Sequence, residues 1–290
     1  MATHPHLEFD EQPDLIRPHM VLAWAGFNDA GEAATHGARH LITSLHAESL
    51  ASIDPEEYYD FTEARPFARY QNDQRDIVWP STDFYFVRTG GEHDLVIGLG
   101  IEPNHRWKSY MAAVLEIARS TGVEMVYTLG AVAAQVPHTR PSSVRGSANM
   151  TELAQRFDMH PSRFEGPTGI VGVFHDFCRQ QDLPGISLWA SVPHYLPGMT
   201  NPMGARALLE KVEELTGIEL EYEQLGRDHD RFQKQAGIAM QENDDLASYV
   251  AQLEDAAGAP TDEPDEGELP PAESLIEQLE DFLRDKRGDD

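Results

Sequence analysis

Eight polar residues stand just past the ends of four apolar runs: Asn28, Asp29, Glu102, Asn104, His105, His138, Arg140 and His194. A histidine beside a carboxylate can move protons near neutral pH, and an arginine can hold an anion. Brought together, these groups would make a small-ligand pocket or a hydrolase- or phosphorylase-like site. The bland alternative is equally physical. Asn-Asp pairs favour turns for backbone reasons alone, and turn residues often serve subunit contacts.

Other chemistry is thin. The chain has no Gly-x-Ser-x-Gly elbow, no Walker-type lysine loop and no His-Glu-x-x-His helix. Gly98-Leu99-Gly100 opens like a dinucleotide loop, but Pro103 takes the place of the third glycine. His36 and His40, with Glu32 one turn earlier, have metal-seating spacing, yet no further ligand is evident and surface or interface histidines explain them better. The single cysteine, Cys178, sits in an apolar helical stretch and reads as a buried structural thiol. No catalytic residue, cofactor or metal is assigned.

The elements that must position the eight residues are clearer. Runs 20–27, 94–100, 123–129 and 186–192 have the continuous apolar character of strands buried on both faces. Helical stretches follow at about 32–45, 105–120, 170–180 and 202–215, with Pro202 at a favoured first position. If the four strands are parallel neighbours, their polar followers converge on one edge of the sheet. Shorter strands are expected near 50–53, 58–62, 76–79 and 83–88. A loop is expected over 65–74, a long loop over 130–141, and a helix over 147–157.

The chain has 290 residues and a formal net charge of −28. That charge argues against nucleic acid and anionic membranes as partners. Residues 241–290 alone carry 17 acids and 3 bases. One cysteine and no basic-then-apolar opening suit a reducing cytoplasm. The expected organisation is a flexible lead-in at 1–18, a core domain at 19–222, a helical extension at 223–257, an acidic linker at 258–272, and an amphipathic helix with a tail at 273–290. The extension reads as an antiparallel helical pair or one long surface helix. The last segment carries Leu275, Ile276, Leu279, Phe282 and Leu283 on one stripe and needs a docking partner.

Several ordered motifs carry a resemblance. They are Trp24-Ala25-Gly26-Phe27-Asn28-Asp29-Ala30-Gly31, Gly98-Leu99-Gly100-Ile101-Glu102-Pro103-Asn104, Thr128-Leu129-Gly130-Ala131, Val136-Pro137-His138-Thr139-Arg140-Pro141, Gly166-Pro167-Thr168-Gly169-Ile170 and Val192-Pro193-His194-Tyr195. Over about residues 18–220 the chain resembles the proteasome assembly chaperone family, in its stand-alone archaeal and actinobacterial branch. The resemblance implies an α/β/α three-layer sandwich akin to the nucleoside phosphorylase fold, self-association as a trimer or tetramer, and proteasome-related partner subunits. It supplies no catalytic residues. Some family members dock through a hydrophobic–tyrosine–any-residue tail, and Arg287-Gly288-Asp289-Asp290 departs from that pattern. The expected function is therefore non-catalytic assembly or interaction as a homo-oligomer. A ligand-binding or hydrolase/phosphorylase-like protein using the strand-end pocket is the alternative.

Overall fold

A computed structural model describes residues 4–71, 74–161 and 165–257. In chain order the elements are β1 (Leu7–Phe9), β2 (His19–Ala25), α1 (Ala33–Ser44), β3 (Glu48–Ile53), β4 (Phe67–Gln71), β5 (Gln74–Val78), β6 (Thr82–Val87), β7 (Leu95–Ile101) and α2 (Trp107–Ser120). Then follow β8 (Met125–Ala134), β9 (Val144–Ala148), α3 (Thr151–Arg156), β10 (His160–Pro161), α4 (Ile170–Gln180), β11 (Gly185–Pro193), α5 (Pro202–Thr216), α6 (Glu223–Glu242) and α7 (Asp244–Ala257).

Nine strands form one mixed sheet in the order β1-β3-β6-β7-β2-β8-β11-β9-β10. At its centre β7, β2, β8 and β11 run parallel, as the four apolar runs predict. In β2, Val21 and Ala23 enter the core beneath α1 and α5, while Met20, Leu22 and Trp24 enter the opposite core beneath α2 and α4. Period-two alternation therefore feeds two cores from one uninterrupted apolar strand. The result is an α/β/α sandwich.

The glycines of the Gly98-Leu99-Gly100 motif allow close packing inside this sheet. A Cβ at Gly98 would lie 2.3 Å from Leu22 Cδ2, and one at Gly100 would lie 2.1 Å from Thr82 Oγ1. Thr82 needs that space because its hydroxyl joins a buried network. It lies 2.5 Å from Tyr110 Oη and 2.9 Å from Tyr59 Oη, and Trp24 Nε1 donates to Tyr110 Oη at 2.8 Å.

Several local expectations fail for identifiable reasons. Residues 58–62 are not a strand: Tyr58 and Tyr59 are both buried after a tight turn at Pro55–Glu57, where Asp54 Oδ1 accepts from the Glu56 amide. The stretch 65–74 is not a loop, since β4 pairs with β5 as a separate two-stranded hairpin. The helix expected over 147–157 spans only α3, because Ser147 and Ala148 complete β9 beside β11. The loop expected from residue 130 begins later, because β8 continues to Ala134 along β11. Within the expected lead-in, β1 pairs antiparallel with β3.

The helical extension is two helices that pack on each other and on the segment after β11. Phe232, Ala236 and Ala239 of α6 meet Leu246, Tyr249, Val250 and Leu253 of α7, over Tyr195, Leu196 and Met199. The expected linker and final amphipathic helix lie outside the described residues.

Candidate functional site

The parallel strand ends do meet at one sheet edge, but the eight candidate residues divide into separate environments. Asn28 and Glu102 come together. Glu102 Oε1 accepts from the Ile170 amide at 2.7 Å, and Asn28 Nδ2 lies 3.5 Å from the same oxygen. Asn28 is buried, and its carbonyl accepts from the Ala131 amide at 2.9 Å. Two features admit this contact. Gly26 adopts φ of 122°, in the region that favours glycine, and a Cβ at Gly169 would sit 2.2 Å from Asn28 Nδ2. Glu102 thus binds the start of α4 to the end of β7.

Asp29 turns away to the start of α1. Its carboxylate accepts from the Ala34 amide at 2.7 Å and from Thr35 Oγ1 at 2.5 Å. Burial raises its pKa, while those hydrogen bonds pull it down. The residue caps the start of α1, as turn chemistry would have it.

Asn104 pins a surface loop, accepting from the Asp60 amide and donating to Glu63 Oε2, both at 2.9 Å. His105 and Arg140 are exposed.

His138 and His194 belong to the seat of the extension. His138 is buried, with its amide 2.7 Å and its Nδ1 2.8 Å from Tyr195 Oη; burial lowers its pKa. His194 Nδ1 lies 3.0 Å from the Ala134 carbonyl, and its Nε2 lies 3.2 Å from Tyr249 Oη. None of the three candidate histidines bonds a carboxylate among the described residues, so the acid/base pairing expected from sequence is not assembled.

His36 and His40 are interface histidines. His36 Nε2 is 3.3 Å from Asp228 Oδ2 on α6, and His40 Nε2 is 2.6 Å from the Glu221 carbonyl. No metal-capable cluster occurs among the described residues. Cys178 is buried with its thiol pKa pushed up to about 12, the inert thiol expected.

Beside Asn28, a cavity of about 610 Å³ opens between α4, the carboxyl ends of β8 and β9, the segment after β2 and the body of β11. Of the eight candidates, only Asn28 lines it. Sequence reading missed its other walls, which include Phe27, Ser147, Thr168, His175, Ser187 and Trp189. His175 Nε2 lies 2.7 Å from Thr128 Oγ1, and desolvation lowers the ring's pKa from 6.5 to about 4. Trp189 lies against Gly130, where a Cβ would be 2.7 Å from the indole. The available signal was Thr128, Ser187 and Trp189, polar or polar-tipped residues at alternate positions within otherwise aliphatic strands. Among the described residues, no helix is long and apolar enough to cross a membrane.

Comparison with known proteins places this geometry. The chain resembles the crystal structure of a PAC2 family protein from Streptomyces avermitilis at 40% identity, covering 80% of this chain and 99% of that one, with a TM-score of 0.74. It resembles a proteasome-assembly chaperone homologue of Mycobacterium tuberculosis at 35% identity, covering 80% and 99%, with a TM-score of 0.71. An uncharacterized protein of the archaeon Methanocaldococcus jannaschii is 26% identical over 205 residues, 69% of this chain and 75% of that protein. The PAC2 family model matches residues 23–238, from β2 into α6, and the chain belongs to the PAC2 family.

Proposed function

We propose that the chain is a non-catalytic assembly protein that acts as a homo-oligomer, a trimer or tetramer, on proteasome-related subunits in the cytoplasm. The observation that carries this reading is the 35% identity to a proteasome-assembly chaperone homologue across 99% of that chain. The histidines support it too, since His138 meets Gln233 and Phe232 of α6 and His194 meets Tyr249 of α7, bracing the extension against the sheet edge.

Self-association is supported by the β4–β5 hairpin. A two-stranded hairpin is marginal in water by itself. This one exposes Phe67 by 69% and Tyr70 by 76%, with Trp79 just beyond it exposed by 49%. Clustered exposed aromatics mark interaction surfaces. Residues 65–79 carry Arg65, Arg69 and Arg75 against Asp73 and Asp76, a balance of +1 on a chain of net −28. An acidic second copy complements that arm. Affinity purification of the tagged chain from its source cells at low salt is the test. Recovery of proteasome subunits is expected, and repeated recovery of the chain alone would count against the reading.

A further inference from the structure

We propose that the cavity under α4 binds a neutral, planar aromatic or heteroaromatic small molecule whose hydrogen-bond acceptor meets the Ser147–Ser187 hydroxyl pair. This goes beyond the assembly reading and does not depend on it.

The volume is the first argument. Protein interiors pack at crystal-like density, and voids larger than a water are few. About 610 Å³ at the carboxyl ends of parallel strands is the size and position of a small-molecule site. The strand side of the lining is made largely of small residues, Ala131, Ala133, Ser147, Ala148 and Ser187.

Charge selects the ligand class. No Asp, Glu, Lys or Arg lines the cavity. A phosphate, carboxylate or ammonium would be desolvated there without a counter-charge. His175 adds no cation, since its ring is neutral at physiological pH.

Hydrogen-bond arithmetic supplies the acceptor. Trp189 Nε1 donates to Ser187 Oγ at 3.2 Å, and Ser187 Oγ and Ser147 Oγ share a hydrogen bond at 2.9 Å. Whichever hydroxyl donates, the other keeps a hydrogen with no acceptor among the described residues. Ser187 is 6% exposed and Ser147 is half-buried, and both line the cavity, so either hydroxyl can offer that donor to it. Shape follows from Trp189, whose indole packs close to Gly130 of β8 and lines the cavity, so an aromatic ligand finds an aromatic wall. Phe27, exposed by 74%, gives an apolar lip.

The test follows the Trp189 indole N–H in ¹⁵N–¹H spectra of the full chain, assigned by its loss in Trp189→Phe. Three probes are titrated: benzamide, its anionic counterpart benzoate, and its non-planar counterpart cyclohexanecarboxamide. Benzamide is expected to shift the Trp189 signal, with the other two at least roughly tenfold weaker, a difference of about 1.4 kcal/mol. Replacing both hydroxyls by Ser147→Ala and Ser187→Ala should weaken benzamide about fivefold, as loss of a neutral hydrogen bond does. Ser147→Phe should fill the space and abolish the response; if that variant does not fold, the double alanine variant decides. An unmoved Trp189 signal, equal binding of benzoate, or an unchanged benzamide affinity in the double alanine variant would overturn the proposal.

Discussion

Glu102 Oε1 accepts a 2.7 Å hydrogen bond from the Ile170 amide, tying the first turn of α4 to the strand two positions away in the sheet from β8. The first amides of a helix have no partner within it, and a carboxylate there also meets the positive end of the helix dipole. Glu102 therefore works as a distant cap, supplied by a neighbouring element rather than by the residue before α4, which is Gly169.

Glu102→Ala should remove that cap and destabilise the fold by about 1–2 kcal/mol. Glu102→Gln keeps an acceptor oxygen and should cost less than half as much. Urea midpoints of the two variants check this, and equal losses would refute the capping role.

Gly130→Ala should cost about 1–3 kcal/mol, because the new Cβ meets the Trp189 ring at 2.7 Å. Trp189→Leu made in the same chain should recover part of that loss. A double-mutant cycle measures the coupling, and simple additivity would show that the two residues do not press on each other.

His175 gives the stability a pH dependence of defined sign. Its folded pKa is about 4 against 6.5 for the free side chain, so between those values the unfolded chain binds the extra proton. This contribution is complete above pH 6.5 and is lost as pH falls towards 4. At about 1.4 kcal/mol per pKa unit the loss is at most roughly 3 kcal/mol. The difference in unfolding free energy between the native chain and His175→Gln, measured from pH 7 to pH 4, should shrink across that window. A constant difference would place the neutral ring elsewhere.

Much of the fold is legible in the sequence because strands buried on both faces read as unbroken apolar runs, and each is closed by a turn. The hairpin is not legible in that way. Its strands bury no face, so Arg69 and its neighbours in β4 read as loop, and only the second strand is legible, as the run 76–79. Tyr58 and Tyr59 mimic a strand because successive aromatic residues suit a strand buried on both faces, yet here they follow a tight turn. The site was half visible. Asn28 and Glu102 follow strands and meet, as turn position suggests. His138 and His194 also follow strands, but α6 and α7 cover that end, and nothing local to either histidine announces its cover. The cavity's walls are not legible, because Ser187 and Trp189 lie within a strand, whereas ligand-binding groups of a parallel sheet ordinarily follow its strands.

Phe67→Ser with Tyr70→Ser should separate the proposed oligomer. Both residues are exposed, so stability should change by less than about 0.5 kcal/mol for each. Light scattering after size exclusion should show a multiple of the 32.4 kDa chain for the native protein and a shift towards that mass for the variant. An unchanged mass distribution would acquit the hairpin.

The most direct test of the central claim is the time course of proteasome assembly from purified subunits of the same source, followed by native mass spectrometry with and without this chain. Faster accumulation of assembled rings, with the chain bound to intermediates and the Phe67→Ser, Tyr70→Ser variant less effective, is the predicted result. Identical assembly curves, with no complex containing the chain at any time point, would contradict it.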